Sequence, residues 1–255
     1  MRLVSILRWL MVLALLLAGA PADAQPNPLQ QLGNFTTQQR QEIIAIIRNA
    51  LRTDPSLLRD AITALQEDEE RQKSSAARGA ISELNQALTR APGDPVAGNP
   101  NGDVTVVEFY DVRCPYCRRM LPVVAELLRR DPGVRFVYKD FPILGPASTL
   151  AARALLAAHK QGGYLKMHAV LMTGAPALDQ DGLRAATGRA GLDWERLQRD
   201  MADPEIAARI AANLALGKRL EIQGTPAYII GDQVLPGAVD IADLLAAVAV
   251  ARRSR

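Results

Sequence analysis

The chain has 255 residues, of which 49% are hydrophobic, 22% are charged and only 4% are aromatic. This balance is ordinary for a globular protein, and the length suffices for one well-buried domain with a smaller appendage. The formal net charge of +3 is too small for a basic nucleic-acid-binding face, and no stretch combines basic with aromatic residues. Composition therefore argues against a nucleic-acid partner.

The first 24 residues have the features of a secretory signal peptide. Arg2 and Arg8 give a positive start, residues 9–20 form an apolar run, and Ala22-Asp23-Ala24 matches a cleavage pattern. The alternative, a membrane anchor, is disfavoured because the run is short for a bilayer span and Arg8 lies directly before it. We predict that residues 1–24 are removed on export to the periplasm, which leaves a net charge of +2.

Residues 25–90 are predicted to form a helical region without strands. Thr36 or Thr37 can cap a first helix, and Asp54-Pro55 can start a second. Apolar residues recur with helical spacing along both helices: Ile43, Ile44, Ile46, Ile47, Leu51, Leu58, Ile62, Leu65, Ile81, Leu84 and Leu88. These faces must pack either on the rest of the chain or on further copies of themselves. Because charge flanks the stripe, we favour a homo-oligomer.

The second predicted domain comprises residues 91–255 and begins after a Pro- and Gly-rich cluster at 91–102, which is typical of a linker. Residues 104–110 are β-branched and aromatic, as in a strand. A helix is predicted to begin at Cys114, followed by a strand at 134–138. These elements make a βαβ unit, whose two strands should be parallel.

The remainder of this domain is predicted to be helices followed by a hairpin. Residues 146–219 show several helical segments and no strand pattern. Residues 227–230 and 233–235 flank Gly231-Asp232, as in a β-hairpin, and a last helix follows at about 240–251. The order predicts an α/β protein with a thioredoxin-like fold, in which a helical insertion separates the two halves of the sheet.

Cys114 and Cys117 are the two cysteines of the chain, separated by Pro115 and Tyr116. Residues i and i+3 share one face of a helix, so the two sulfurs can meet. At the start of a helix, unpaired N–H groups and the helix dipole favour a thiolate on Cys114. We predict Cys114 as the exposed attacking sulfur and Cys117 as the buried resolving sulfur of a redox pair that needs no bound cofactor.

Three other interpretations of the cysteines are weaker. A structural disulfide would close too short a loop to stabilise the chain much. A zinc site needs two more ligands, and the spacing of His159 and His168 does not match the usual pair. The two histidines are instead expected to be surface or packing residues of the insertion. A Cu(I) site on the two thiols is compatible with redox chemistry and is our alternative function, in metal stress.

The residues at this point resemble the DsbA-like branch of the thioredoxin superfamily. The resemblance rests on Val107–Tyr110, Cys114–Cys117, Phe141–Gly145 and Gly224–Ala227, and it spans about residues 95–251. The N-terminal helices more loosely resemble those of the ScsC group of DsbA-like proteins.

The resemblance implies several site features. A cis peptide is expected before Pro226, in a loop that faces the cysteine pair and helps to bind substrate. Thr225 is expected to offer a hydroxyl near the sulfurs, and Tyr116 to tune the redox potential.

The resemblance also implies that Glu108 is a buried acid below Cys117 that accepts its proton. Arg135 or Lys139, on the next strand, is expected to be the partner of Glu108. Arg113, Arg118 and Arg119 add positive charge around the pair, or are ordinary surface charge.

The resemblance therefore implies a thiol–disulfide oxidoreductase, either an oxidase or an isomerase. Its expected partners are unfolded or misoxidised exported proteins and a membrane redox protein that resets the pair. Self-association of residues 36–90 would favour the isomerase.

Overall fold

The computed structural model describes residues 35–174 and 176–254, so the predicted signal peptide lies outside the described residues. Within these ranges there are nine helices and five strands. In chain order they are α1 (Thr37–Thr53), α2 (Ser56–Thr89), β1 (Val96–Gly98), β2 (Val104–Tyr110), α3 (Pro115–Arg130), β3 (Val134–Asp140), α4 (Pro146–Lys160), α5 (Tyr164–Gly174), α6 (Gln180–Arg189), α7 (Trp194–Met201), α8 (Pro204–Arg219), β4 (Ala227–Ile230), β5 (Gln233–Pro236) and α9 (Ile241–Arg253).

Helix α1 begins with the local chemistry that the sequence predicts. The Thr36 hydroxyl accepts from the Gln39 backbone N–H at 3.2 Å, and the Gln39 side chain accepts from the Thr36 backbone N–H at 2.8 Å. Asp54 likewise accepts from the Ser56 backbone N–H at 3.1 Å, at the start of α2. None of the α1 side chains is buried.

The described residues divide into two compact units, the first ending at Gln66 and the second beginning at Glu67. This division lies inside α2 rather than at the Pro- and Gly-rich cluster, so the predicted division near residue 90 stays a prediction. Within the second unit, Ile81 and Leu88 of α2 are buried and pack on the sheet. The last turns of α2 are therefore part of the core of that unit.

The sheet has the strand order β1-β3-β2-β4-β5. Strands β2 and β3 are parallel, as predicted, and the β4–β5 hairpin is antiparallel. The edge strand β1 pairs antiparallel with β3 within the segment predicted as a linker. Its three residues are too few to show an alternating pattern in a segment dominated by Pro and Gly, so tertiary pairing alone identifies it.

The two faces of the sheet carry different residues because side chains alternate along a strand. We call the face that carries Val106, Glu108 and Tyr110 the front face; it also carries Phe136, Tyr138 and Tyr228. It packs against α3, the insertion helices α4 to α8, and α9. The back face carries Val107, Phe109, Val137, Lys139 and Ile229, and it packs against the end of α2.

A buried ion cluster joins the end of α2 to the back face. The Lys139 ammonium donates to Asp94 at 2.6 Å and to the Ala87 carbonyl at 2.8 Å. Arg209 of α8 lies 3.3 Å from the other Asp94 oxygen. Arg135 donates to the Thr89 carbonyl. These contacts fix the end of α2 through its backbone.

The helical insertion agrees with the prediction and consists of α4 to α8 between β3 and β4. Within the described ranges, none of the helices is long and apolar enough to cross a membrane.

Candidate active site

The cysteine pair lies at the N-terminus of α3. Cys114 is the N-cap, Pro115 is the first helical residue, and the Cys114 N–H donates to the Asp111 carbonyl at 3.0 Å. Proline suits this position because its missing N–H has no helical partner there. Both cysteines are free thiols.

The prediction that Cys114 is exposed is wrong. Cys114 retains 4% of its accessible surface and Cys117 retains 1%, so both are buried and only their order is as expected. The physical reason is the loop before β4, which lies over the first sulfur. The Cys114 Sγ donates to the Thr225 carbonyl at 3.1 Å.

This loop contains the expected cis peptide, between Thr225 and Pro226. The atom of Thr225 that contacts Cys114 is its carbonyl oxygen. The resemblance implied that the Thr225 hydroxyl would lie near the sulfurs instead. The adjoining strand β4 pairs antiparallel with β2, which leads directly to Cys114. The fold thus brings residues more than a hundred positions apart together.

Glu108 lies in β2 on the front face and is 4% exposed. Its partner is the Tyr228 hydroxyl, which donates to Glu108 Oε1 at 2.9 Å. The expectation of Arg135 or Lys139 as partner is wrong, because both belong to the opposite set of β3 side chains and bind the end of α2. Burial raises the pKa of Glu108 to about 7, although the hydrogen bond from Tyr228 opposes the rise.

Cys117 lies deeper than Cys114 and resists ionisation. Burial, and after it the negative charge of Glu108, raise the pKa of the Cys117 thiol well above its usual range. Cys117 is therefore a thiol at rest and needs a base before it can act as a nucleophile. Glu108 lies on the front face of the sheet, against which α3 packs, and it is a carboxyl whose pKa lies near neutrality.

Tyr116 borders an open groove next to the pair. Its ring is 51% exposed, and the Arg119 guanidinium stacks on it at 4.3 Å from the ring centroid. The groove is further lined by Met120, Val123, Thr225, Gly237, Ala238, Val239 and Asp240. Arg113 and Arg118 instead donate to the backbone carbonyls of Leu144 and Val112.

A second buried polar cluster was not predicted from the sequence. Asp140, at the end of β3, accepts hydrogen bonds from Tyr110 at 2.9 Å and Tyr164 at 3.0 Å. His168 is buried against Tyr110 and Tyr138, so it is a packing residue. The available sequence signal was an acid at the end of a strand, and it did not indicate these partners.

Two family models match the chain. The model described as "DSBA-like thioredoxin domain" matches residues 105–249, and the model described as "Copper resistance protein ScsC N-terminal domain" matches residues 39–72. Both matches agree with the resemblance seen in the sequence.

Two solved structures are similar over most of their length. A thioredoxin-like oxidoreductase from Silicibacter pomeroyi DSS-3 is 46% identical, covers 67% of this chain and 98% of its own, and has a TM-score of 0.65. Proteus mirabilis ScsC in a transitional conformation is 29% identical, covers 88% of this chain and 99% of its own, and has a TM-score of 0.63.

Curated relatives match 61% of this chain. Disulfide bond formation protein D of Bacillus subtilis is 26% identical over 61% of this chain and 77% of that protein. A Na⁺/H⁺ antiporter NhaA of Salinispora tropica is 34% identical over 61% of this chain, but the match spans only 24% of the antiporter. The family and these neighbours support a role in thiol–disulfide exchange. Because the family model covers more than half of its length, this chain belongs to the DSBA-like thioredoxin domain family.

Proposed function

We propose that the mature protein is a periplasmic thiol–disulfide oxidoreductase that exchanges disulfides with exported proteins through Cys114 and Cys117. One observation carries this proposal: the Cys114 sulfur lies at a helix N-terminus, against the carbonyl that precedes cis-Pro226. Free N–H groups and the helix dipole stabilise negative charge there. The predicted signal peptide supports export.

In the reductive direction, the Cys114 thiolate attacks a substrate disulfide and forms a mixed disulfide, and the other substrate sulfur leaves as a thiolate. Cys117 then gives its proton to Glu108 and attacks the Cys114 sulfur. The Cys114–Cys117 bond forms, the mixed disulfide breaks, and the substrate leaves reduced. If the freed substrate thiolate first attacks another disulfide of the substrate, the thiolate released there can attack the mixed disulfide and displace Cys114, and the result is isomerisation.

In the oxidative direction, a substrate thiolate attacks Cys114 in the oxidised pair. Cys117 leaves and takes a proton from Glu108. A second substrate thiolate then attacks the mixed disulfide, so the substrate leaves oxidised and the pair is left reduced. A membrane redox partner then resets the pair.

Two measurements distinguish the reductive from the oxidative direction of exchange. They are the equilibrium redox potential against glutathione and the refolding of scrambled ribonuclease. A strongly oxidising potential without refolding indicates an oxidase. A less oxidising potential with refolding indicates an isomerase. Absence of exchange with either glutathione or ribonuclease would contradict the proposed function itself.

Single substitutions in the pair separate its two roles. Cys114→Ser is expected to reduce the rate of exchange by at least about a hundredfold, because it removes the attacking sulfur. Cys117→Ser is expected to accumulate the mixed disulfide, visible as an added substrate mass that a reductant removes. Accumulation on the Cys114→Ser protein instead would reverse the assignment.

We further propose that the N-terminal helices assemble a homo-oligomer. Large apolar side chains of α1 and the first part of α2 are exposed in the first unit: Ile43, Ile44, Ile46, Ile47, Leu51, Leu57, Leu58, Ile62 and Leu65. Stripes of this size at helical spacing are covered in most proteins, and a second copy supplies a matching stripe.

Copper binding stays the alternative prediction, with the description of the N-terminal family model in its favour. Cu(I) titration of the reduced protein, with Cys117→Ser as the control, tests it. Tight binding that needs both thiols, without exchange on scrambled ribonuclease, would replace the proposed function.

A further inference from the structure

Tyr228 is a fully buried tyrosine of β4 whose hydroxyl meets the carboxyl of Glu108. It has no accessible surface, and its hydroxyl donates to Glu108 Oε1 at 2.9 Å. The antiparallel register places Glu108 directly opposite Tyr228. This hydrogen bond is therefore set by the pairing of β2 with β4.

One short segment contacts both Cys114 and Glu108. Thr225 accepts from the Cys114 sulfur at 3.1 Å, and Tyr228, three residues later, binds Glu108. Pro226 and Ala227 join the two contacts. The position of the loop that lies over Cys114 is thus linked through β4 to the position of the carboxyl near Cys117.

Other groups face Glu108 without a described hydrogen bond to it. Tyr138 lies opposite Glu108 in the parallel register of β3, and the negative charge of Glu108 acts on the Cys117 thiol of α3. Helix α9 packs on the same face of the sheet with apolar side chains, Leu244 and Val248 among them. Among the described residues, Tyr228 supplies the hydrogen bond that Glu108 accepts.

We infer that Tyr228 is a positioning residue, which holds the Glu108 carboxylate in place to take the proton of Cys117 when Cys117 resolves the mixed disulfide. This inference rests on the proposed function. In the step concerned, the proton moves from Cys117 Sγ to Glu108, the Cys114–Cys117 bond forms, and the bond from Cys114 to the substrate sulfur breaks. The two electrons of the broken bond leave with the substrate thiolate.

The hydrogen bond has a predictable direction of effect. A donor to a carboxylate favours its charged form, whereas burial without that donor favours the neutral form. Without the Tyr228 hydroxyl, less of Glu108 is ionised at neutral pH, so fewer molecules can remove the Cys117 proton. A hydrogen bond to a charged group typically changes such a titration by about one to two pH units.

The test uses the full chain, reduced, and an aromatic disulfide that releases one coloured thiolate in each step. The first phase reports the attack by Cys114, and the second phase reports resolution by Cys117. In Tyr228→Phe, we expect the pH midpoint of the second phase to rise by about one pH unit or more, with the first phase unchanged. At pH 7 the second phase should slow by about fivefold or more, because the ionised fraction of Glu108 falls.

Tyr138→Phe is the matched control, because it removes a tyrosine hydroxyl on the other side of Glu108 that makes no described hydrogen bond to it. Its midpoint should stay at the wild-type value. A Tyr228→Phe midpoint equal to that of the wild type would overturn the inference, since a packing role does not move a titration. A wild-type protein without two phases would instead contradict the proposed function.

A second comparison remains informative if Tyr228→Phe folds poorly. It uses variants in which residue 108 is uncharged, so the loss of the Tyr228 hydroxyl leaves no buried charge without a partner. The variant Glu108→Gln and the double variant Glu108→Gln/Tyr228→Phe should resolve the mixed disulfide at the same rate. Equal rates show that Tyr228 acts through the carboxyl. A further loss of about fivefold or more in the double variant would show that Tyr228 acts elsewhere, and would overturn the inference.

Discussion

Asp140 is a buried carboxyl at the end of β3 that the exchange reaction does not use. The hydroxyls of Tyr110 and Tyr164 donate to its two oxygens and lie 2.7 Å from each other. Burial outweighs these hydrogen bonds and raises the pKa of Asp140 to about 7. At the residue scale, ionising Asp140 therefore costs free energy in the folded protein, where the carboxyl is buried, and not in the unfolded chain, where water solvates it.

This shift predicts a stability that depends on pH. In the unfolded chain Asp140 ionises near its ordinary pKa, about 4, so the folded state holds the proton more tightly. The resulting stabilisation is full below pH 4 and is lost as the pH rises to about 7. Relative to Asp140→Asn, the wild type should lose on the order of 2–4 kcal/mol of unfolding free energy across this range.

Urea unfolding of the wild type and Asp140→Asn at several pH values between about 4 and 7 measures this difference. Glu108 titrates in both proteins, so it cancels in the comparison. Parallel curves for the two proteins would show that Asp140 has an ordinary pKa in the folded state.

At the scale of elements, the glycines Gly217 of α8 and Gly79 of α2 lie in opposite surroundings. Gly217 of α8 is buried, and a Cβ built there would overlap the ring of Phe141. Gly79 of α2 is exposed, with no atom within 4 Å of such a Cβ. Helix α8 thus needs a glycine to approach the loop after β3, whereas α2 does not.

The two glycines should therefore respond differently to the same substitution. Gly217→Ala is expected to lower the free energy of unfolding by roughly 1–3 kcal/mol, because the methyl group overpacks the contact with Phe141. Gly79→Ala is expected to raise it by about 0.5–1 kcal/mol, through helix propensity alone. Thermal unfolding of the wild type and of each variant measures both changes in the free energy of unfolding. Stabilisation by both substitutions would show that Phe141 moves aside at little cost.

At the scale of the whole molecule, the exposed apolar side chains of α1 and the start of α2 determine the predicted assembly. Replacing Ile47 and Leu58, which are 53% and 55% exposed, by glutamine in one variant should reduce the molar mass in solution to that of one chain. The change removes apolar area that a second copy would bury. Light scattering at tens of micromolar measures the mass.

Leu165→Gln is the control for this experiment, because Leu165 is 45% exposed but lies on α5, in the second unit. Its molar mass should equal that of the wild type. A wild type that is already a single chain would contradict the assembly, and an isomerase function would lose its main support.

Local sequence signals were sufficient to predict most of the elements and part of the site. Capping side chains and helical spacing predicted α1 and α2, and β-branched runs predicted β2 to β4. The spacing of Cys114 and Cys117 around a helix start indicated the chemistry. The resemblance added cis-Pro226. Each of these signals depends on residues a few positions apart, which a single sequence displays directly.

Only the tertiary structure decided which groups meet. It placed β1 in the supposed linker, covered Cys114 with the Thr225 carbonyl, and assigned the last turns of α2 to the core of the second unit. It also gave Glu108 a tyrosine as its partner, since strand register sends Arg135 and Lys139 to the back face. Faces, registers and contacts between distant residues come from packing the whole chain, so they are absent from any local pattern.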